Sequence, residues 1–346
     1  MDRSAAAHIS RISIHQVGNR HLEEPLLLTE NPLQIEDKTR EALSVYFRIH
    51  EQPEEYYQLD HESDLSLNEV YTFVRRIFEN PDQLHTESIH LAKHLYAYSD
   101  HPNIKGGEFY VVYFQDCLVE GHTTDAVGLF KSENKDTFLK VLQNNGHLDL
   151  TSEQGINVKK LDKGCLIFNI EEDDGYVVAV VDNTNRDIEA QYWKDEFLQL
   201  KARSDEYHHT QNLVAMTQDF IKKELPEKFE VSKADQADLL NRSAKFFKEQ
   251  ETFDMSEFSN SVMGAPDVID DFSRYKHEYE QERQVEINDG FNISAPAVKK
   301  QSRGFKSVLK LDKNFHIYIH GNREMIEQGV DEFGRKFYKV YYEEER

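Results

Sequence analysis

Apolar and polar residues alternate along several short segments in the first two hundred positions of the chain. Residues 8–17 place isoleucines among polar neighbours, which predicts a first β-strand. The run EFYVVYFQDCL at 108–118 is a stronger strand signal, and AVGLFK at 126–131 is its predicted hairpin partner. Further strands at 165–170 and 176–181 complete a predicted antiparallel sheet.

Segments with helical spacing lie before and after these strands. Ser66-Leu67-Asn68-Glu69 has the order of a capping box and predicts the start of a helix whose apolar face includes Val70 and Val74. A short helix is also predicted at 135–141. After residue 201 the helical period dominates, and the main helices are predicted at 210–225, 239–250 and 266–283.

These patterns predict an α+β protein. We predict an N-terminal antiparallel sheet domain with helices over residues 1–200. Residues 201–346 are predicted to be a mainly helical region that closes on a small antiparallel β-sheet. At 346 residues the chain is long enough for two domains that each bury a core.

The closing sheet is predicted to begin at Phe305. Alternation over 305–311, turn residues at 312–314 and renewed alternation over 315–319 indicate a β-hairpin. One of its faces is apolar, and a third strand at 336–342 is predicted to join it. The open face is predicted to carry Lys306, Lys310, His316, Tyr318 and His320, with Lys339 and Tyr341 added by the third strand.

Charge is concentrated around this hairpin. Residues 299–323 hold seven basic residues and one acid, a local charge of +6 in a chain whose net charge is −23. Such a segment can meet a polyanion locally, although 64 acidic residues against 41 basic ones exclude a protein that coats DNA by net charge. Any contact with nucleic acid is therefore expected to be local, or indirect through a partner protein.

The hypothesis from the residues is a basic and aromatic nucleic-acid-binding face. Lysines of the face would neutralise phosphates, its aromatic and histidine side chains would stack or hydrogen-bond, and residues 299–303 would form a mobile basic arm. Two alternatives stay open: an ordinary solvated sheet face, or cover by segment 267–289, which has eight acids against three bases. The candidate binding residues are Lys299, Lys300, Arg303, Lys306, Lys310, His316, Tyr318, His320 and Lys339.

No cofactor or metal site is predicted. Cys117 and Cys165 fall in predicted strands without zinc-ligand spacing, which favours two buried free thiols. His90 and His94 are four residues apart on a predicted helix, but no adjacent glutamate or third ligand accompanies them. The phosphate-binding, dinucleotide-binding, serine-hydrolase and zinc-hydrolase motifs are also absent from the sequence.

One enzymatic alternative is a metal-dependent nuclease. Asp125 followed by Glu133-Asn134-Lys135 has the order of an acid and an acid-x-Lys pair that hold Mg²⁺ and orient water. Glu133 falls past the predicted strand end, however, and such triplets arise often by chance in a chain that is 30% charged. A non-enzymatic binding protein is therefore the leading prediction, with the nuclease as its alternative.

The sequence also predicts a cytoplasmic protein without membrane contact. No apolar run reaches transmembrane length. The first seventeen residues lack the continuous apolar region of a signal peptide. Assembly into a homo-oligomer stays open at this point.

The order of these elements carries a family resemblance. The sequence has ISIHQV at 12–17, GGEFYVVYF at 106–114, YWKDEFLQL at 192–200 and FKSVLKLDKNFHIYIHGNRE at 305–324. Over essentially the whole chain this order resembles the bacterial nucleoid-associated protein family known as NdpA-like or YejK-like. The resemblance implies a cytoplasmic, nucleoid-located protein without established enzymatic activity, bound to DNA directly or through a DNA-bound protein. It supplies no binding motif, so no site residue is taken from it.

Overall fold

The computed structural model describes residues 7–47, 55–144, 147–183, 192–283, 285–305, 308–318 and 325–344. The chain divides into two compact units, Met1–Arg203 and Ser204–Arg346. A large antiparallel sheet with helices forms the first unit, and the second is mainly helical with small antiparallel sheets toward its end. The predicted α+β fold class is confirmed.

In the described part of the first unit, eight strands form one antiparallel sheet in the order β10-β3-β9-β8-β5-β4-β1-β2, and β6 pairs with β7 separately. The strands are β1 (His8–Val17), β2 (Leu26–Leu27), β3 (Tyr57–Leu59), β4 (Gly107–Val119), β5 (His122–Ser132), β6 (Asp136–Asn144), β7 (His147–Gly155), β8 (Lys163–Phe168), β9 (Val177–Asp182) and β10 (Leu200–Ala202). The helices are α1 (Asp37–Tyr46), α2 (Glu69–Glu79) and α3 (Leu84–Tyr98), with 3₁₀ turns at Leu65–Leu67, Pro81–Gln83 and Glu172–Asp174 and a π-helical segment at Tyr192–Phe197.

Successive side chains of β4 enter two different cores. Phe109 and Val111 pack with buried residues of α2 and α3 on one face of the sheet. Tyr110 and Val112 pack with Phe47, just past α1, on the other face. Because both faces are covered, residues 109–114 of β4 form an uninterrupted apolar run instead of an alternating pattern.

Helix α2 begins two residues later than the capping-box pattern predicts. The side chain of Asn68 accepts a hydrogen bond from the backbone N–H of Tyr71 at 2.9 Å and is the N-cap. Asp64 caps the preceding 3₁₀ turn by accepting from the N–H of Ser66 at 2.8 Å. The pattern predicted a single N-cap at Ser66, whereas Asp64 caps the 3₁₀ turn and Asn68 caps α2.

The short helix predicted at 135–141 is wrong, because this segment is strand β6. Its residues pair with β7, with Thr137 opposite Gln154 and Val141 opposite Leu150. β-branched residues such as Thr137 and Val141 favour strands, and the partner strand supplies the hydrogen bonds that a helix would have made internally.

Both cysteines are free and buried, as predicted. Burial raises the pKa of the Cys117 thiol to about 12, with smaller contributions from nearby aspartates. Burial also raises the pKa of Cys165. Neither side chain is therefore a thiolate nucleophile at neutral pH.

His15 on β1 is buried against α3 and is held in its neutral form. The backbone N–H of Thr29 donates to Nδ1 at 3.2 Å, so Nε2 carries the proton and donates to Ser88 Oγ at 2.9 Å. Burial, with a smaller contribution from His85, lowers the pKa of His15 to about 4. The unfolded chain therefore binds a proton at this position more tightly than the folded protein does.

We expect this histidine to make the protein less stable in mild acid. The neutral form is favoured in the folded state, so its contribution is complete above pH 6.5 and is lost as the pH falls toward 4. Between pH 7 and pH 5 the loss should be about 1 to 2 kcal/mol, measured by urea unfolding. His15→Gln should flatten this part of the profile, and His147→Gln on the exposed strand β7 should leave it unchanged. Equal profiles for wild type and His15→Gln would contradict the prediction.

In the second unit the helices are packed around phenylalanines, with Phe246 and Phe258 of neighbouring helices 5.1 Å apart between ring centres. The helices are α4 (Glu206–Asp219), α5 (Leu225–Lys228), α6 (Lys233–Glu249), α7 (Met255–Phe258), α8 (Pro266–Arg283) and α9 (Ala295–Gln301), with π-helical segments at Phe220–Glu224 and Ser259–Met263. No helix in the described ranges of the whole chain is long and apolar enough to cross a membrane.

The strands of the second unit form three small antiparallel pairs. They are β11 (Thr252–Asp254) with β12 (Gly290–Asn292), β13 (Val308–Leu311) with β14 (Phe315–Tyr318), and β15 (Ile326–Val330) with β16 (Lys336–Val340). Ile317 of β14, Ile326 of β15 and Tyr338 of β16 pack together with alanines of α6. The two terminal hairpins are therefore attached to the same helix.

Candidate nucleic-acid interface

Three of the predicted binding residues lie at the end of α9. Lys299 and Lys300 occupy its last turn, and Arg303 lies in the 3₁₀ turn Ser302–Phe305 that follows. All three residues are exposed. The Nζ of Lys300 lies 5.4 Å from the centre of the Tyr207 ring, a cation–π distance. Within the described residues, no carboxylate forms an ion pair with Lys299 or Arg303.

This basic helix end is fastened to the rest of the second unit. Gln218 Nε2 donates to the carbonyl of Gln301 at 3.2 Å, and Lys222 Nζ donates to the carbonyl of Gly304. Phe305 is buried against the phenylalanine core. The prediction of an arm at residues 299–303 is therefore wrong, because these residues are held in a helix and a packed turn.

The hairpin predicted after this turn is present as β13 and β14. Lys310 lies opposite His316, and Val308 lies opposite Tyr318. Opposed residues of an antiparallel pair share a face, so the register places Lys310, His316 and Tyr318 on one face, as predicted. Ile317 on the other face packs against α6. His316 is exposed, and Tyr318 is 61% exposed.

Two predicted members of the face, Lys306 and His320, lie outside the described residues. For Lys310 the structure describes the backbone pairing alone. The described interface consequently runs from the end of α9 through the hairpin. We call residues 299–318 the basic segment.

The predicted third strand is present as β16, but its partner differs from the prediction. It pairs with β15, and among the described residues these strands form a sheet of their own. Lys339 lies opposite Glu327, with 3.4 Å between Nζ and Oε2. The hydroxyl of Tyr341 donates to Glu327 at 2.7 Å. The hydrogen bond with Tyr341 and the charge of Glu327 raise the pKa of Lys339. Its ammonium group therefore already has a carboxylate partner.

Strand β16 also presents an aromatic side chain that the candidate list lacks. Phe337 lies two residues before Lys339, on the same face of the strand, and is opposite Gly329 of β15. It is 43% exposed, and nearby Phe333 is 74% exposed. The two-residue period that identified the strand was sufficient to find Phe337. Exposed aromatic rings beside cations are the side chains on which unpaired bases stack.

The acidic segment 267–289 forms its ion pairs with cations outside the basic segment. None of the ion pairs found among the described residues joins it to Lys299 or Arg303. Its acids and bases pair mainly with each other, and Asp271 also pairs with Lys228 of α5. These pairs include Asp271 with Lys228 at 3.2 Å and with Arg274 at 2.8 Å, and Lys276 with Glu280 at 3.7 Å and with Asp289 at 2.6 Å.

The residues of the nuclease alternative are not brought together. Asp125 lies near the start of β5 and Glu133 just past its end, a separation of roughly 26 Å along an extended strand. Asp125 accepts a hydrogen bond from the hydroxyl of Tyr113 at 2.7 Å, and Lys135 forms an ion pair with Glu108. The three side chains therefore do not form one site.

Glu133 instead neutralises a buried group of charges. Lys131 and Lys163 lie opposite each other on β5 and β8, and both are fully buried. Glu133 Oε1 lies 3.2 Å from Lys131 Nζ, and Asp182 Oδ1 lies 3.0 Å from Lys163 Nζ. The ring of Tyr192 lies within 6 Å of both ammonium groups, and its hydroxyl donates to Glu133 at 3.0 Å. Burial lowers the pKa of Lys131, and the charge of Glu133 opposes this effect.

The histidine pair on α3 is used for local contacts. His94 Nε2 lies 3.1 Å from the carbonyl oxygen of Phe197, and His90 Nδ1 lies 3.2 Å from Glu87 Oε2. Across the described ranges, no group of three or more His, Cys, Asp or Glu side chains has an arrangement suited to a metal ion. The geometry therefore offers no metal site around these residues.

The terminal hairpins and the sheet lie within a single match to a known family. A family model described as nucleoid-associated protein YejK covers residues 13–341. The chain belongs to this family. The match begins within β1 and ends just past β16, so it includes both compact units. No curated protein matches the chain. Family membership associates the protein with the nucleoid and confirms the resemblance found in the sequence, but it assigns no role to an individual residue.

Proposed function

We propose that this protein is a non-enzymatic, cytoplasmic component of the nucleoid that contacts DNA directly through the basic segment. The observation that carries the proposal is the exposed helix end at Lys299 and Arg303, which is followed in the chain by a hairpin face with Lys310, His316 and Tyr318. The cations would pair with phosphates, and the exposed tyrosine and histidine would contact sugars or bases.

The charge distribution supports a local contact. A net charge of −23 repels DNA from most of the surface, so affinity must come from cations that are not already paired with carboxylates. Lys299 and Arg303 meet this condition within the described residues, whereas Lys339 is paired with Glu327. We therefore place the terminal hairpin β15–β16 at the margin of the interface.

The test is a fluorescence-anisotropy titration of the purified chain with duplex DNA at two salt concentrations. With three phosphate contacts, the slope of log affinity against log salt should be about −3. Raising salt from about 50 mM to 200 mM should then weaken binding roughly 40-fold. A chain that fails to bind at the lower concentration would refute direct contact. Co-purification with a basic DNA-bound protein would then favour indirect association, which the acidic surface also permits.

A further inference from the structure

The hairpin β6–β7 has two chemically different faces. Among the described residues its strands pair only with each other, with Leu139 opposite Ser152 and Val141 opposite Leu150. Opposed residues share a face, so Leu139, Val141, Leu148 and Leu150 lie together. We call this the aliphatic face. Its other members are Thr137, Gln143, Ser152 and Gln154, and none of them is charged.

The four aliphatic side chains are turned to solvent. Leu139 is 71% exposed, Val141 62%, Leu148 73% and Leu150 66%. The opposite face of the same hairpin holds its charged residues, including the 3.0 Å ion pair between Lys140 and Glu153. A face of this size without charge is unexpected in a chain of which 30% is charged.

The aliphatic face is not packed against the rest of the described chain. None of its members belongs to the hydrophobic cores of the described chain. The hairpin is nevertheless anchored at its base, where Asp136 accepts hydrogen bonds from Asn157 at 2.8 Å and from Lys160 at 3.0 Å. An isolated two-stranded sheet is marginally stable in water, and contiguous exposed apolar surface marks an interaction site.

We propose that the aliphatic face is the contact surface between two copies of this chain. Each copy has a net charge of −23, so contacts between other parts of the two surfaces would oppose acid to acid. The aliphatic face can be buried against its symmetry-related counterpart without opposing like charges. A basic protein would gain more from the acidic surfaces than from this face, and an anionic membrane would repel the chain.

The size of the face sets the strength of the dimer. Two nine-residue strands form a face of about 30 Å by 10 Å, or roughly 300 Å² per copy. A standard stable interface buries about 800 Å² per partner. The dimer is therefore weak, with dissociation in the micromolar range or above.

The test is sedimentation velocity of the full chain over a wide concentration range with two adjacent variants. Val141→Lys places a charge on the aliphatic face and should weaken dimerisation at least about tenfold, because the buried ammonium group would have no partner. Leu142→Lys makes the same charge change on the opposite face, across from Asp149, and should dimerise like wild type. Both variants reduce the net charge equally, so a difference between them reports the face itself.

A second measurement uses wild type alone and is independent of variant folding. Amide hydrogen exchange in 136–144 and 147–155 should slow as protein concentration rises. Wild type that stays monomeric at every concentration would overturn the proposal. Equal dimerisation of the two variants would also overturn it, as would a dimer whose hairpin exchange does not change with concentration.

Discussion

Replacing Glu133 by glutamine is expected to lower the free energy of unfolding by about 3 to 5 kcal/mol. Lys131 and Lys163 face each other across β5 and β8 without access to water, and like charges in this arrangement repel. Glu133 and Asp182 balance them. Glutamine keeps the shape of the side chain but leaves one buried ammonium charge without compensation, which must then lose its proton or destabilise the fold.

Urea unfolding followed by the fluorescence of Trp193 measures this effect. Trp193 is the one tryptophan of the chain and is buried in the first unit. The matched control is Glu153→Gln, which removes an exposed partner of Lys140 and should change stability by about 0.5 kcal/mol or less. Replacing Lys131 by methionine together with Glu133 by leucine should recover much of the loss, since both charges leave at once. Similar losses for the two single glutamine variants would contradict the explanation.

Charge reversal at the end of α9 is expected to reduce DNA affinity by at least about tenfold at low salt. The double variant Lys299→Glu with Arg303→Glu removes two proposed phosphate contacts and places two carboxylates beside the DNA backbone. The slope of log affinity against log salt should also become shallower by about 2, because two fewer counterions are released. Anisotropy titrations at several salt concentrations measure both quantities on the same protein.

The control is a double variant that makes the same change in net charge at a site away from the basic segment. Lys245→Glu with Lys248→Glu alters the same unit by the same amount, and Lys248 lies in the last turn of α6 as Lys299 does in α9. Both variants therefore carry a similar penalty from an acid near a helix C-terminus. If both lose DNA affinity equally, net charge explains the loss and the basic segment is not the site.

Sequence periodicity predicted the elements correctly where residues that are close in sequence contact each other. The hairpin β13–β14 followed from alternation on either side of residues 312–314, and its register agrees with the predicted faces. Strand β4 followed from the uninterrupted apolar run at 109–114, which is typical of a strand covered on both faces. In both cases the residues of one short segment are enough to predict the element and its faces.

Long-range pairing escaped prediction for physical reasons. Strand β15 has the sequence IEQGV, whose apolar positions are too few to show that β16 pairs there and not with β14. Lys131, Lys163 and Glu133 have the appearance of surface charges in the sequence, because only the β5–β8 register places them together away from water. The aliphatic face was missed because 135–141 fits a helical period as well as a strand period until its partner strand is known.

The order of strands in the large sheet also affects how a nascent chain can fold. Strand β3, at residues 57–59, finds its hydrogen-bonding partners in β9 and in β10 at residues 200–202. At translation rates of about 5 to 20 residues per second, roughly 7 to 28 seconds separate the synthesis of β3 and β10. During that time the edge of β3 is open to incorrect pairing, and the first unit can be completed only after residue 202 has left the ribosome.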